Sequence, residues 1–492
     1  MLIGRTKMKK SIKFLSILCS LVMLFSVAAC STNNGDSTGT GGSGSGFKYK
    51  GLNIMDNLGS TTGTVSFHVG GGQVELQLWD KLIAGFEKQN PGIKVEKVTI
   101  NDMDVLYTQL LSGTAPDVIQ MESPDFGSWA KAGALQSVQP LVERDNFDTS
   151  DYWPQLIKMY SFDTQAGVRG GGDLFALPKD MGVNGIFVNR KLVNAAKERG
   201  DLTEEEYKLV TDQVNPMTYE QYLNVAKKLT ILDPNNSEYN IYGTNRVYWE
   251  SYVWSAGDDI LTEDYQLNTE SEVLKEVFEY SKAMVTEGSE DYCAPYTPAS
   301  SASSQDEMSM FMTDRIAMYW SGRWLVPNYD AANMDYYCIP MPVVVKEDGT
   351  KGESVGWCST IGYGVSRNCK NGEMAWKLIQ YLTSLEGYRI MNELNYNVPG
   401  RMSLITEEAF ANPQTNGSVL DEASANVFFN MAKTARINNA ARLTSSNWIE
   451  TFESKLSLYF TGEIASYEAL MTSVSKQVNA AIKKSDPQLF VN

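Results

Sequence analysis

Histidine is almost missing from this sequence: His68 is the only one in 492 residues. A serine hydrolase needs a histidine placed after its nucleophile elbow, and the one G-x-S-x-G string, Gly352-Glu353-Ser354-Val355-Gly356, has none downstream. A charged turn precedes that string and the strand-like Ser359 to Ser366 follows it, so the strand-turn-helix context is missing as well. Cysteine is sparse. Cys293, Cys338, Cys358 and Cys369 follow Cys19 and Cys30 without any C-x-x-C pair, which removes the usual zinc and thioredoxin-like signatures. Their pairing stays open between disulfides and buried thiols. Basic charge is in deficit, with 42 Lys plus Arg against 59 Asp plus Glu and a net charge of −17. Nucleic acid and anionic lipid surfaces need clustered cations, so neither is expected as the main partner. Beyond the N-terminus no apolar run is long enough to span a bilayer. No metal or cofactor is expected.

The N-terminus carries five basic residues (Arg5, Lys7, Lys9, Lys10, Lys13), a short apolar stretch from Phe14 to Phe25, and the small residues Val27, Ala28 and Ala29 before Cys30. That order predicts a signal peptide over 1–29. The string SVAAC resembles the lipobox of bacterial lipoproteins, which implies lipidation of Cys30 and a membrane anchor. Residues 30–60 then read as a flexible tether, because Ser31 to Gly46 is Gly/Ser-rich and has too little to bury. Its Gly39-x-Gly41-x-x-Gly44 match to a dinucleotide fingerprint lacks the flanking strand and helix and is discarded.

The body opens with a strand from Thr64, three glycines, and a helix whose Trp79, Leu82, Ile83 and Phe86 share one face. Strand-like Ile93, Val95 and Val98, a helical stretch from Asp104 to Leu111, and a strand from Asp117 to Met121 follow. This alternation predicts a parallel α/β sheet with ligands beyond its strand ends, near Gly70 to Gly72 and Glu122-Ser123. A second marked stretch is Leu174 to Asn189, LFALPKDMGVNGIFVN. A strand broken by Pro178, Lys179 and Asp180 and resumed after Gly182 and Gly185 reads as a crossing between two packed units. The chain is also long enough to divide its core.

Seven strings now appear in a recognisable order: LIAGFEKQNPGIKVE (82–96), APDVIQM (115–121), WAKAGALQSV (129–138), LFALPKD with GIFVNRKLV (174–193), MTYEQYLNVAKKL (217–229), MFMTDRIAMYWSGRW (310–324) and MAWKLIQYLTSLEGY (374–388). Together they resemble the extracellular solute-binding proteins of bacterial ABC transporters, in the branch that binds sugars. The resemblance implies a two-lobed, type II periplasmic-binding-protein-like α/β fold, with lobes joined by two or three hinge crossovers. Crossings are expected at Pro178 to Gly185, at 317–320 and near 356–364. The first lobe would then comprise 60–180 plus 318–357, and the second 183–316 plus 358–492. The partners implied are a carbohydrate in the cleft, the permease subunits, and the membrane through the lipid anchor, with the chain itself a monomer.

Sugar sites pair flat aromatic faces with polar edges. Six of the ten tryptophans fall at loops or motif ends: Trp249, Trp254, Trp320, Trp324, Trp357 and Trp448. Trp249, Trp320 and Trp357 are the preferred platforms, with Trp254 beside them; Trp324 is equally suited to wedging against the core. The polar candidates are Glu122, Asp180, Arg323 and Arg401, and Gly71 lies in a turn that could cradle an anion. Asp233 to Ser237 resembles a calcium loop but lacks its later acidic ligands, so an Asx/Pro turn is expected there. Two other functions stay open: a receptor for a peptide, polyol or phosphorylated solute, and a secreted glycan-active enzyme.

Overall fold

The computed structural model describes residues 47–245, 247–296, 301–436 and 442–490, except for the side chains of 73–74 and 301–306. The signal peptide and Cys30 lie outside them. The expected tether does not reach residue 60: Phe47 and Tyr49 pack against Phe162, Tyr49 donates to the Leu135 carbonyl at 3.2 Å, and Ile54 is fully buried. Aromatic anchors thus end the Gly/Ser-rich stretch near residue 47.

Two sheets organise the body. In the first, Gly63–Val69 lies between Ile93–Thr99 and Val118–Glu122, all parallel, as the alternation predicts. Ile361–Ser366 then adds antiparallel to Val118–Glu122 and carries Ala176–Pro178 and Leu135–Gln136 along its edges. Helix Gln73–Gln89 lays Trp79, Leu82 and Phe86 onto this core. The second sheet is built around Asp180–Asn189, a strand buried at all ten positions. Ile316–Gly322 and Tyr336–Ile339 flank its far half, while Cys358–Ser359 and Val398–Pro399 pair with its near half.

This topology redraws the crossings. The chain passes from the first sheet to the second between Pro178 and Asp180, returns between Ser359 and Ile361, and crosses again after helix Leu385–Met391 on the way to Val398. The expected crossing at 317–320 is instead a strand interior, hydrogen-bonded to Asp180–Asn189 over its length. Residues 318–357 therefore belong with the second sheet. Residues 361–391 belong with the first, where helix Gly372–Leu382 packs on Gly63–Val69 and Ile361–Ser366. Gly182 and Gly185 serve close approach and not loosening: a Cβ there would meet Ser359 Oγ at 2.7 Å or the Phe428 ring at 2.9 Å.

Asp180 ties the crossings together. Its carboxylate accepts from the Ile361 N–H at 3.4 Å and from Asn397 Nδ2 at 3.0 Å, and its carbonyl accepts from Thr360 Oγ1 at 2.7 Å. Beside it Lys179 is buried between the Trp79 and Tyr396 rings, 5.2 Å from each, and pairs with Glu75 at 3.4 Å. The four described cysteines are free and buried. The Asp233 carboxylate caps the N–H groups of Asn235 and Asn236, the Asx turn expected there.

His68 is a packed residue in the first sheet. Nε2 donates to the Ile100 carbonyl at 2.9 Å, since Nδ1 accepts from the Gln120 N–H at 3.2 Å. Burial lowers its pKa below the ordinary 6.5, so folding favours the neutral ring. Its contribution to stability is complete above pH 6.5 and is lost as the pH falls below that value, because the unfolded chain then binds the extra proton. Urea unfolding is expected to show a loss of up to about 1.4 kcal/mol per pH unit from this residue below that point. His68→Gln should flatten the curve by that amount, and an unchanged slope would contradict the assignment.

Candidate functional site

Where the two sheets face each other lies a cavity of about 420 Å³. One wall comes from the first sheet: Val118–Glu122 ends in helix Ser123–Lys131, whose first residues, Ser123 and Pro124, line the opening. Arg169 lies beneath them. It donates to the Ser123 carbonyl at 2.9 Å and to that of Met159 at 3.4 Å, and its guanidinium sits 5.6 Å over Phe126. Burial pushes this guanidinium down to about 10. Along the same helix burial raises Asp125 to about 6, helped by the neighbouring charges of Glu122 and Asp104.

The opposite wall is aromatic. Trp324 follows Gly322 in a 3-10 turn and lies flat over the strand it has just left; a Cβ on Gly322 would fall 1.8 Å from its ring. That is the requirement for glycine at 322. Trp357 is half-buried on the Ser359 crossing, with its backbone bridged to Arg436. Tyr248 and Glu250 come from the start of helix Trp249–Ala256, and Ser445, Ser446, Trp448 and Glu453 from the start of helix Asn447–Phe460. Three indoles and a phenol thus face a cavity edged by hydroxyls, two carboxylates and one guanidinium.

Of the residues singled out from sequence, the preferred Trp357 lines this cavity, as do Trp324 and Trp448 from the six candidate tryptophans and Ser123 at the expected strand end. Glu122 is exposed one residue from its edge. Gly71 is exposed at φ +111° on the N-terminal side of the first helix, its N–H held by Asn101 at 3.2 Å, and does not reach the cavity. Asp180 is engaged at the crossings instead. Trp320 is fully buried in the second half, where its ring packs on Tyr219, Tyr222 and Tyr248. Arg323 is also fully buried, 5.2 Å over Phe429, its guanidinium pushed down to about 10 by burial. Arg401 serves packing: Nε donates to the Thr383 carbonyl at 2.8 Å, NH2 to Tyr152 Oη at 3.1 Å, and Asp151 is 3.5 Å away. Trp249 packs edge-on to Phe278 and Phe452, and Trp254 is buried on the same helix. Ser354 of the G-x-S-x-G string donates its hydroxyl to the Met341 carbonyl at 2.7 Å.

The sequence does not single out Tyr248 or Arg169, and it names Trp324 and Trp448 as candidates without preferring them. Trp448 carried a usable signal, since it follows the polar run Thr444 to Asn447 at a helix start. Arg169 carried none, because its position depends on a small three-stranded sheet (Val168–Arg169, Ser161–Asp163, Asp173–Leu174) that folds under the cavity.

Comparisons with known proteins agree with this architecture. The profile of the family described as bacterial extracellular solute-binding protein matches residues 70–388. The chain is 22% identical over 312 residues to the multiple sugar-binding protein of Streptococcus mutans, covering 62% of this chain and 67% of that protein. Among solved structures it superposes on an ABC substrate-binding protein of Listeria monocytogenes in complex with cycloalternan. The TM-score is 0.67 at 19% identity, over 85% of this chain and 99% of that one. A Mycobacterium tuberculosis protein in complex with glycerophosphocholine superposes with the same TM-score at 15% identity, over 86% and 99%.

Proposed function

Because the chain belongs to the bacterial extracellular solute-binding proteins, we propose that it is the carbohydrate receptor of an ABC importer, holding a sugar or oligosaccharide between its two halves and presenting it to the membrane permease. The observation that carries the reading is the lining of the cavity. Trp324, Trp357, Trp448 and Tyr248 offer flat apolar faces to the C–H faces of pyranose rings, while Arg169, Glu250, Glu453 and the serines meet the hydroxyl edges. The sugar ligand or name of two of the proteins above supports the same class. The glycerophosphocholine complex shows that this fold also takes a phosphodiester, so the lining decides here and the fold does not.

Capture works by population shift. Walls from both halves contact one ligand only when they approach, so the ligand stabilises the closed state, and the three crossings around Asp180 are where the halves turn. The lipobox-like string adds an anchor at Cys30, which would hold the receptor on the outer face of the membrane. A thermal-shift screen over mono- and oligosaccharides, peptides and glycerophosphodiesters tests the assignment. A bound ligand at 100 times its Kd adds about 2.7 kcal/mol, read as a rise of a few degrees in Tm. A rise with carbohydrates alone is expected. A rise only with a peptide or phosphodiester would reassign the solute.

A further inference from the structure

Beside the main cavity lies a second chamber of about 110 Å³. Tyr248, Glu250 and Glu453 line both spaces and form the boundary between them. Beyond that boundary the walls are mostly apolar, with Val247 and, from helices Trp249–Ala256, Glu272–Val285 and Asn447–Phe460, Trp249, Val285, Leu456 and Phe460; the polar side chains among them are Ser281, Tyr296 and Ser457. A hydrogen bond of 2.6 Å between Tyr296 and Ser457 side chains closes one flank.

The chamber is too small for a sugar ring. An apolar cavity of about 150 Å³ admits benzene, and a pyranose is bulkier and would strand several hydroxyls against hydrocarbon. A substituent of a few heavy atoms fits. Among the polar groups in its wall, Ser281 narrows the class: it is 6% exposed and its hydroxyl has no hydrogen-bond partner. A buried hydroxyl without a partner is unfavourable, and a carbonyl oxygen entering the chamber supplies the acceptor it lacks. At the mouth, the Glu250 and Glu453 carboxylates each already have a partner, and a carboxylate's remaining lone pairs can also accept from an N–H donor. A methyl group for the apolar wall, a carbonyl for Ser281 and an N–H for the mouth together describe an acetamido group.

We propose that the solute held in the main cavity is an N-acetylated sugar whose acetamido group occupies this chamber. The inference rests on the carbohydrate reading and narrows its substrate class. Calorimetry on matched disaccharides tests it: chitobiose in its N,N′-diacetylated form against cellobiose, and N-acetyllactosamine against lactose. The acetylated member of at least one pair is expected to bind tenfold or more tightly. Ser281→Leu, which fills the chamber, is expected to abolish that preference while leaving the unacetylated partner's affinity within twofold. Ser281→Ala keeps the space, removes the hydroxyl, and should reduce the preference severalfold; it also covers the case in which the leucine variant does not fold. Equal or weaker binding of the acetylated member in every pair, while other sugars bind, would overturn this inference and leave the carbohydrate reading intact. A preference unchanged in Ser281→Ala would overturn it too. Absence of binding by any carbohydrate would overturn both.

Discussion

Trp320→Ala is expected to lower the unfolding free energy by about 3–5 kcal/mol, the range for removing a large buried aromatic. The indole is fully buried, tilted at 28° to the Tyr219 ring at 6.2 Å and edge-on to Tyr222 at 5.4 Å. Its N–H donates to the Tyr222 hydroxyl, which is also hydrogen-bonded to the Thr244 side chain. Alanine would leave both a cavity and a buried hydroxyl short of a partner, and the two penalties add. The backbone is held independently, since Asn245 Oδ1 accepts from the Trp320 N–H at 2.9 Å and Asn245 Nδ2 donates to its carbonyl at 3.3 Å. The strand should therefore keep its register, and the change should appear as a lower urea midpoint at constant m-value. Trp320→Phe, which keeps the ring and loses the N–H, should fall between. Ligand affinity should change little, because only Tyr248 links this cluster to the cavity. A near-normal midpoint with a large loss of affinity would return Trp320 to the ligand site.

The misplacement of Trp320 marks the limit of what was legible in the sequence. Local patterns spoke clearly. The 3.6-residue spacing of Trp79, Leu82 and Phe86 gave the first helix, Pro178 to Asp180 gave a true passage between sheets, and Asp233 gave its turn. The family resemblance supplied the two-sheet plan. Partner choice between distant strands was harder to read. The resemblance implies a crossing at 317–320, next to the glycine at 322, yet Gly322 exists to let Trp324 lie against the backbone. That contact aims Trp324 at the cavity and leaves Trp320, on the strand proper, in the core. The same ambiguity affects arginine. Arg323, Arg401 and Arg169 look alike in sequence, yet the first is sealed under Phe429, the second braces Thr383 and Tyr152, and only the third reaches the cavity. The cavity wall from Leu443 to Glu453 lies more than 80 residues from any other lining residue in the chain, so no local motif could connect it to the site.

Trp357→Ala is expected to weaken sugar binding by about 2 kcal/mol, roughly 30-fold in Kd, as for an aromatic anchor at the centre of a contact. The indole is half-buried and faces the cavity from the Ser359 crossing, between the two halves, where a stacked ring is gripped as they approach. Its backbone is held by the bridge to Arg436 and does not depend on the side chain. Stability should therefore fall by no more than about 1 kcal/mol, the usual scale for a partly exposed site. Trp324→Ala should behave differently. That ring also covers Gly182 and Gly322, so its loss uncovers the crossing strand and should lower both affinity and urea midpoint. The two variants thus separate stacking from hinge packing, with calorimetry on a sugar found in the thermal screen reading one and denaturation the other. Trp357→Phe should recover most of the affinity, because a smaller aromatic face still meets the C–H face of the ring. If Trp357→Ala binds that sugar as tightly as the parent chain does, the aromatic wall is not where the sugar sits, and the carbohydrate assignment loses the observation that carries it.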